Sequence, residues 1–535
     1  MEKFIHSVTL DKDLCKGCIN CIKRCPTEAI RVRDGKAHIL AERCIDCGEC
    51  IRICPHHAKK PLYDPLTILD DFKYTIALPP PSLYGQYNNL EEQDVVLAAL
   101  LDMGFDDVYE VAKAAELVSD ATRRILQTGS IERPVISSAC PAVTRLIRVR
   151  FPQLIDHVLP LVAPIELAAR LAKKEAVRRT GLPKEDIGCI FITPCPAKVT
   201  AIHSPIGSSH SEVDGAVAIK EVYPRLLASM KRISQMDYLA SAGRIGLGWA
   251  ESGGEAAGLI STDSYLAADG IENVIRVLED LEDEKYRDLD FVELDACAGG
   301  CVGGVLQVEN PYIAKAKIKR LRRYVPVSKN HLSGSIPTEM LWDTDLTYAP
   351  VLELGGTRTE RFERYNQMEE ILAELPGLDC GSCGAPTCAA LAEDVVRGKA
   401  AVNDCTVLMR RRMEAVLKAL GKGSDGMTTK ELSAACGFAP AVEAETREIA
   451  GIFTGDLLSW AMGRAKEGDA WFTVMGNVNA VAVAALADCA CIVLCHGAAL
   501  DAVAKTRAEE QGINIFTTDL PEFEAGFALA RAMKL

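Results

Sequence analysis

The chain has 535 residues, enough for about three or four domains of the usual size, and its 48% hydrophobic and 25% charged residues predict buried cores and a soluble protein. A formal net charge of −14 argues against nucleic acid as a partner, because binding phosphate needs a basic surface. The 21 cysteines exceed what an ordinary cytosolic protein carries. Residues 1–3 do not open a charged-then-apolar leader, so a cytoplasmic protein with metal sites is predicted rather than a disulfide framework.

Two cysteine runs near the amino terminus follow C-x2-C-x2-C-x3-C-P and start 29 residues apart. They are Cys15, Cys18, Cys21, Cys25 with Pro26, and Cys44, Cys47, Cys50, Cys54 with Pro55. This duplication is typical of a ferredoxin module with two [4Fe–4S] clusters, in which the fourth cysteine of each run ligates the other cluster. Residues 1–64 are therefore predicted to bind one cluster through Cys15, Cys18, Cys21 and Cys54, and another through Cys44, Cys47, Cys50 and Cys25. Zinc sites would need neither the proline nor the triple spacing.

From about residue 73, apolar strands alternate with helices, which predicts a mostly parallel sheet. The predicted strands cover residues 73–78, 133–138, 187–193, 245–249 and 291–294, and the predicted helices residues 90–103, 112–126 and 161–179. Ligands of such sheets bind outside the carboxyl ends of the strands.

Four cysteines follow three of these strands, namely Cys140, Cys195, Cys297 and Cys301. Four thiolates are the complement for one more [4Fe–4S] cluster, and nearby glycines let the backbone approach a bulky inorganic group. Each cysteine alone could be a core residue, as is predicted for Cys189, but their common position at strand ends favours ligands.

Residues 65–330 resemble the catalytic domain of [FeFe]-hydrogenases in three motifs. These are Ser137-Ser138-Ala139-Cys140-Pro141, Pro194-Cys195-Pro196-Ala197-Lys198 and Cys297-Ala298-Gly299-Gly300-Cys301. The resemblance implies an H-cluster, a [4Fe–4S] cluster joined through one cysteine sulfur to a diiron unit with CO, cyanide and azadithiolate. It implies that Cys301 is the bridge and that Lys198 hydrogen-bonds a cyanide, although a lone lysine after a strand is usually solvated. The cofactor would be lined by Ser138, Pro141, Pro194, Ser252, Gly253, Gly299 and Gly300.

The departures from the family pattern are specific. Ala139 stands where the family has a proton-passing cysteine, and Ala201 where it has a glutamate that extends the relay. Thr193 and Asp295 replace two methionines. A methyl group cannot carry a proton, and losing a positioned acid typically costs on the order of 10²–10⁴ in rate. The chain thus resembles the sensory [FeFe]-hydrogenases, which carry alanine at the position of Ala139.

The next part of the chain is predicted to be a linker, residues 331–374, followed by a small α-helical [4Fe–4S] domain, residues 375–422. Cys380, Cys383, Cys388 and Cys405 follow C-x2-C-x4-C-x16-C. This pattern resembles the small [4Fe–4S] domain of corrinoid iron–sulfur proteins and of the Rnf complex, and its glycine and proline spacing favours a cluster over zinc. The chain would then hold three accessory [4Fe–4S] clusters besides the H-cluster, giving electrons a second exit.

Residues 425–535 are predicted to form a further α/β domain. Its predicted strands are residues 471–475, 491–494 and 513–517, and its helices residues 479–486, 502–510 and 523–533. The apolar residues 480–494 are too short for a membrane span and predict a buried helix and a core strand. Residues 454–459 and 465–469 resemble regulatory DRTGG domains, some of which are thought to bind adenine nucleotides, although only Arg447 and Gly451 suggest the naming pentapeptide. Cys436, Cys489, Cys491 and Cys495 are expected to pack rather than bind metal.

Three functional hypotheses remain open for this multidomain α/β chain. The first is a slow, H2-sensing [FeFe]-hydrogenase that relays redox state to a regulatory partner. The second is an ordinary ferredoxin-dependent hydrogenase with a different proton path. The third is an iron–sulfur carrier or assembly protein without a diiron unit, against which Lys198 and the doubled ferredoxin module argue. Candidate partners are H2 and protons, a ferredoxin, a signalling kinase or phosphatase, and a second copy of the chain, but neither nucleic acid nor membrane.

Overall fold

The computed structural model describes residues 6–233, 238–260, 262, 264–420 and 427–533. It divides into two compact units, residues 1–400 and 401–535. Residues 1–3, on which the prediction of no leader rests, lie outside the described residues, as do residues 425 and 426. Within the described ranges, no helix combines the length and the apolar character that crossing a membrane requires.

The first unit begins with a small module of paired strands. Its elements are β1 (Val8–Leu10), α1 (Asn20–Lys23), β2 (Ile30–Arg33), β3 (Lys36–Ile39), α2 (Glu49–Ile53) and β4 (Lys59–Pro61). β1 pairs with β4 and β2 with β3, both antiparallel. Each cysteine run enters a short helix, α1 or α2, so the sequence duplication is also a structural one.

A larger α/β domain follows. Its strands are β5 (Tyr74–Leu78), β6 (Asp107–Val108), β7 (Val135–Ile136), β8 (Ile187–Thr193), β9 (Gly215–Ala218), β10 (Tyr265–Asp269) and β11 (Phe291–Asp295). Its helices are α3 (Pro81–Tyr84), α4 (Asp94–Asp102), α5 (Val111–Thr128), α6 (Pro141–Arg150), α7 (Pro164–Thr180), α8 (Pro196–His203), α9 (Ile219–Met230), α10 (Arg244–Gly248), α11 (Gly254–Gly258), α12 (Ile271–Glu282) and α13 (Pro311–Leu321).

The strands form two parallel sheets rather than the one sheet that the sequence predicts. Their orders are β6-β5-β8-β9 and β10-β11-β7. All seven residues of β8 are buried, as in strands covered by helices on both faces. The cysteine-bearing strand ends therefore come from both sheets, with β7 and β11 in one and β8 in the other.

Two further predictions are corrected. Residues 245–249, predicted as a strand, lie mostly in the helix α10. A short apolar run buried on all sides has no periodicity that separates helix from strand, and Gly246 packs so closely on α5 that an added Cβ would lie 2.0 Å from the Ala112 carbonyl oxygen. The predicted linker contains the helix α14 (Arg358–Glu374), which a capping box at Thr357 starts.

Residues 375–400 pack on the amino-terminal module through buried ion pairs. The helix α15 (Cys388–Val396) presents Glu393 and Asp394. Asp394 accepts hydrogen bonds from Arg31 Nε and Arg33 Nη2, each at 2.7 Å, and Glu393 pairs with Arg43. The side chains of Arg31 and Asp394 are each only 5% exposed, so these charges compensate one another out of water.

Replacing Asp394 by alanine should therefore open this contact. D394A leaves Arg31 and Arg33 without their buried partner. Breaking a buried ion pair in this way typically lowers the free energy of unfolding by about 3–5 kcal/mol. Hydrogen exchange should show a matching loss of protection in residues 28–33 and 381–396. E272A is the control: it breaks the Arg24–Glu272 pair, whose side chains are 47% and 61% exposed, and should cost less than about 1 kcal/mol. Equal effects of the two variants would contradict the prediction.

The second unit is a separate α/β fold. Its helices are α16 (Thr406–Leu420), α17 (Leu432–Cys436), α18 (Leu458–Arg464), α19 (Val478–Leu486), α20 (Ala502–Gln511) and α21 (Glu522–Ala532). Its strands are β12 (Met427–Thr428), β13 (Ala439–Val442), β14 (Glu448–Ile449), β15 (Gly451–Thr454), β16 (Asp469–Thr473), β17 (Cys491–Leu494) and β18 (Asn514–Thr517). The main sheet has the order β13-β18-β17-β16-β15 and is parallel except for β13.

The predicted helices and strands of this unit are found within a few residues of their expected bounds. Cys489, Cys491 and Cys495 are fully buried, and their role in packing rather than metal binding stays a prediction. Asp456, in the stretch compared with DRTGG domains, accepts hydrogen bonds from Thr473 Oγ1 at 2.7 Å and Val474 N at 2.9 Å and so ties β15 to β16. The DRTGG resemblance itself stays a prediction.

Candidate metal centre

The structure brings the first predicted ligand set together. Cys15, Cys18, Cys21 and Cys54 line one common cavity. Burial raises the pKa of the Cys21 thiol to about 11; Lys59 opposes this, and the three neighbouring thiols add to it. Four thiols this close would repel one another as thiolates, and a bound metal cluster removes that cost.

The second set, Cys44, Cys47, Cys50 and Cys25, is also assembled. Burial raises the pKa of Cys50 to about 12, and the nearby Cys25 raises it further. Burial and then Cys50 raise the pKa of Cys47, which also interacts with Cys297 of the α/β domain. Cys47 packs in the same hydrophobic cluster as Cys140 and Cys195. The second set therefore lies beside the third group of cysteines.

Two cysteines of the α/β domain occupy the same kind of position. Cys140 is the N-cap residue of α6 and Cys195 that of α8, and in both cases a proline is the first helical residue. Proline suits that position because its fixed φ is helical and its missing N–H would have no partner there. Each Cys-Pro pair thus begins a helix shortly after a strand ends, β7 at Ile136 and β8 at Thr193, which places both thiols near a sheet edge.

Cys297 and Cys301 lie on one glycine-rich loop after β11. Gly299 and Gly300 have φ of +85° and +88°, which favours glycine. A Cβ on Gly300 would lie 2.4 Å from the backbone nitrogen of Ser252, which donates a hydrogen bond to Gly299 O at 3.1 Å. Ser252 and Gly253, which were predicted to line the cofactor, lie between α10 and α11. Ser252 contacts this loop through its backbone.

Lys198 is buried among these thiols and is not solvated. Its Nζ lies 3.4 Å from Cys301 Sγ. Burial alone would lower the pKa of Lys198, but Cys301, Cys195 and Cys140 raise it above its ordinary value. Burial raises the pKa of Cys297, and the other three cysteines raise it further, so all four thiols share one site.

Two cavities meet at Ala139. The first, which we call the Cys301 cavity, is lined by Cys301, Lys198, Pro194, Ala139 and mostly apolar neighbours. The second, which we call the Ala201 cavity, is lined by Ala201, Lys198, Ala139, Ser138 and Pro141, among others. Ser138 Oγ donates a hydrogen bond to Leu161 O at 3.0 Å. The two alanines that depart from the family motifs therefore line one common cavity.

Buried glutamates that the sequence analysis missed line the Cys301 cavity. Glu255 accepts a hydrogen bond from Ser137 Oγ at 2.6 Å, and Ser137 Oγ accepts one from Ala139 N at 3.1 Å. Burial raises the pKa of Glu255 to about 8 despite the hydrogen bond from Ser137. Glu293 accepts from Gly253 N and Ala256 N, each at 2.8 Å, and burial raises its pKa well above the usual range. The one sequence signal for these residues was Glu293 itself, a glutamate inside the otherwise apolar start of the core strand FVELD.

Residues 73–254 and 248–305 match the family described as iron only hydrogenase large subunit, C-terminal domain. The chain carries an iron-only hydrogenase H-cluster domain. Residues 7–55 match a 4Fe-4S dicluster domain, so the amino-terminal module is ferredoxin-like. Residues 375–407 match a family described as a putative Fe-S cluster. The chain is thus a hydrogenase-like iron–sulfur protein.

Relatives of the hydrogenase domain are distant. Subunit HndD of the NADP-reducing hydrogenase of Solidesulfovibrio fructosivorans is 22% identical over 43% of this chain and 45% of its own. The periplasmic [Fe] hydrogenase large subunit of Nitratidesulfovibrio vulgaris is 26% identical over 36% of this chain and 51% of its own. The chain therefore spans about half the length of these relatives. A variant of [FeFe]-hydrogenase HydA1 from Chlamydomonas reinhardtii aligns with a TM-score of 0.42 and 14% identity over 52% of this chain and 95% of that one.

The remaining predicted ligands fall in both units. Cys380, Cys383 and Cys388 belong to the first unit and lie against the ferredoxin-like module, where Arg33 Nη1 donates to Cys383 O at 2.9 Å. Val32 N donates to Gly384 O at 2.8 Å, and an added Cβ on Gly384 would lie 2.0 Å from Val32 O. Cys405 belongs to the second unit, where it is buried just before α16.

Proposed function

We propose that the chain is an H2-sensing [FeFe]-hydrogenase of low activity (2 H⁺ + 2 e⁻ ⇌ H2) that relays redox state through its iron–sulfur clusters to a regulatory partner. The observation that carries the proposal is Ala139. Its methyl group lines the Cys301 cavity beside Lys198, where the family motif has a thiol. The four cysteine ligands and Lys198 are retained while the proton-carrying thiol is missing at Ala139. This suits a protein that responds to the concentration of H2 without consuming H2 quickly.

The residues present fit an H-cluster. Cys140, Cys195, Cys297 and Cys301 would hold its [4Fe–4S] part, and Cys301, which borders the cavity, would bridge to the diiron unit. The Lys198 ammonium, 3.4 Å from Cys301 Sγ, offers further donors to a cyanide. When bound, the group supplies the two-electron chemistry of H2. Buried positive charge at Lys198 favours the negatively charged cofactor that these thiolates would hold.

The side chains also suggest an electron route. The set containing Cys47 lies beside Cys297, and the set containing Cys21 lies in the same module. The loop with Cys380 and Cys383 contacts that module at the Cys21 end, where Gly381 lies near Ile22. The residues would therefore hold clusters in series, from Cys297 through the sets containing Cys47 and Cys21 towards the loop with Cys380 and Cys383.

One observation favours the second candidate, an ordinary hydrogenase with a different proton path. With a pKa of about 8, Glu255 keeps its proton at neutral pH and can donate it to a group in the Cys301 cavity. Glu255 would then replace the missing thiol. The two candidates differ in rate, since a fast relay through Glu255 makes an enzyme and a slow one permits a sensor.

Infrared spectroscopy tests the proposal. The clusters are reconstituted, a synthetic diiron cofactor is added, and spectra are recorded under H2 and under argon. We expect CO and cyanide bands that shift under H2 while turnover stays slow. Bands with fast turnover would favour the ordinary enzyme. The absence of bands would remove both hydrogenase candidates and leave an iron–sulfur carrier or assembly protein.

Two cysteine variants serve as controls for this experiment. C301A removes the proposed bridge and should abolish the CO and cyanide bands. C189A removes a thiol that is fully buried within β8 and should leave the bands unchanged. Bands that persist in C301A would contradict the assignment of the bridge.

A further inference from the structure

One lysine of the ferredoxin-like module is buried without a hydrogen-bond partner. Lys59, the first residue of β4, is 3% exposed, and its Nζ has no partner among the described residues. The next residue, Lys60, is half-exposed and pairs with Asp11 at 2.8 Å. An ammonium group has three donors and no acceptor, and burying it unpaired is costly in free energy. A buried lysine of this kind therefore indicates a ligand that accepts its hydrogen bonds.

Lys59 lies beside the first set of cysteines. It lines the same cavity as Cys15, Cys18, Cys21 and Cys54. Burial raises the pKa of the Cys21 and Cys50 thiols, and Lys59 opposes this in both, so its charge also reaches the second set. Lys16 lines the cavity too, but it is exposed, and salt and water screen its charge. Of these two lysines, Lys59 is therefore the one whose charge acts on the site with little screening.

The internal duplication provides an equivalent position that is apolar. Shifting the first cysteine run by 29 residues aligns Ala29 with Ala58 and Ile30 with Lys59. The two alanines make the same contact, because the N–H of each donates to the Sγ of the fourth cysteine of its own run, at 3.2 and 3.3 Å. Ile30 is 2% exposed, so both repeats bury the side chain that follows. Isoleucine is enough to fill this position, and packing therefore does not explain the ammonium of Lys59.

We propose that the Lys59 ammonium donates hydrogen bonds to the [4Fe–4S] cluster of the first set, which we call the first cluster, and raises its reduction potential. A gained electron makes a cluster more negative, so a buried cation beside it stabilises the reduced form more than the oxidised form. Hydrogen bonds to the cluster sulfurs also set the potential and act in the same direction. Lys59 acts through the cluster and touches no substrate.

A raised potential would favour an electron at the first set over the second. One electron leaves the second cluster, that of Cys44, Cys47, Cys50 and Cys25, and one enters the first; no bond forms or breaks and no proton moves. The second set interacts with Cys297, whereas Gly381 lies near Ile22 beside the first set. The electron would thus be held next to the loop with Cys380 and Cys383. Its use in signalling rests on the proposed function, whereas the shift in potential does not.

Redox titration of the full chain, with its [4Fe–4S] clusters but without a diiron unit, tests the proposal. Electron paramagnetic resonance follows the reduced clusters; the signal lost in C18A identifies the first cluster, and the signal lost in C47A the second. K59M should lower the equilibrium constant for reducing the first cluster about tenfold or more, and that of the second cluster less. Tenfold corresponds to about 59 mV for a one-electron couple.

Two control variants separate charge from packing. K59R keeps a buried cation with hydrogen-bond donors and should restore most of the tenfold loss seen in K59M. K16M removes an exposed lysine from the same cavity and should change the equilibrium constant for the first cluster less than about twofold, because that charge is already screened. Iron and sulfide contents are measured on every sample, so that a lost cluster is not mistaken for a shifted one.

The equivalent position gives a reciprocal test that does not depend on the folding of K59M. I30K places an ammonium beside the fourth cysteine of the first run, Cys25, which is a ligand of the second cluster. It should raise the equilibrium constant for reducing the second cluster about tenfold. If K59M binds no first cluster, I30K decides, and an unchanged second cluster in I30K overturns the proposal.

Three other results would overturn the proposal. They are an unchanged equilibrium constant for the first cluster in K59M, an equal shift in K16M, and a shift in K59M confined to the second cluster. Since no diiron unit is present, failure of this test leaves H2 sensing untouched, and missing infrared bands would leave the measured potentials untouched.

Discussion

Replacing Glu255 by glutamine should lower the H2 turnover of the loaded protein by on the order of 10²–10⁴, the usual cost of losing a positioned acid. Glu255 lines the cavity beside Cys301 and is buried, with a pKa raised to about 8 by that burial. Glutamine keeps the size and can still accept the hydrogen bond from Ser137, but it cannot release a proton. Turnover is measured as H2 evolution from a chemical reductant.

The pH profile separates proton donation from a structural effect. Glu255 donates only while protonated, so wild-type H2 evolution should fall as pH rises through about 8, and E255Q should lose this step. E255D should retain part of the activity. E116Q is the matched control: Glu116 is as buried but accepts hydrogen bonds from Gly243 N and Asn330, away from the cavity. Unchanged turnover in E255Q would show that protons travel elsewhere.

The raised pKa of Glu255 also bears on stability. Its folded pKa of about 8 lies above the ordinary 4.5, so the folded state is fully stable with respect to this group below pH 4.5 and loses stability as pH rises through 8. E255Q should remove that part of the pH dependence. Because Glu255 lowers the stability of the folded protein at neutral pH, its presence is more easily explained by a role in proton transfer than by a role in packing.

The spacing of cysteines and prolines predicted those parts of the candidate metal centre that depend on residues adjacent in the sequence. A cysteine followed by proline can end a strand and start a helix, which is why Cys140 and Cys195 could be placed at sheet edges from the sequence. β8 was predicted at its observed bounds, Ile187–Thr193, because a doubly buried parallel strand is a continuous apolar run between turns.

What the sequence could not provide depends on contacts between distant segments. Glu255 and Glu293 lie 38 residues apart and meet only because α11 packs on β11, so no spacing marks them. α10 was mistaken for a strand because its residues 245–248 are all buried and so show no helical periodicity. α15 contacts the ferredoxin-like module through Arg31 and Asp394. Charged residues such as these are expected at the surface when only the sequence is known.

Replacing Ala139 by cysteine should raise H2 turnover by up to the same 10²–10⁴ that loss of a positioned acid costs. Ala139 borders both the Cys301 cavity and the Ala201 cavity, so a thiol at this position would face both. Its pKa, near 8.5 in an unperturbed thiol, permits exchange of protons near neutral pH. Turnover and infrared spectra are measured on the same loaded samples, so that a change in rate is not confused with a change in loading.

Three further variants locate the step. A139S fills similar space with a much weaker acid and should gain little. A201E alone should change turnover less than twofold, because its carboxylate in the Ala201 cavity has no thiol to receive a proton from. A139C/A201E should exceed A139C, since Ala139 and Ala201 line one cavity and the two groups would form a connected relay. If A139C leaves turnover unchanged while E255Q abolishes it, proton supply runs through Glu255, and slow turnover must then arise from electron transfer or from the cofactor's surroundings rather than from the missing thiol.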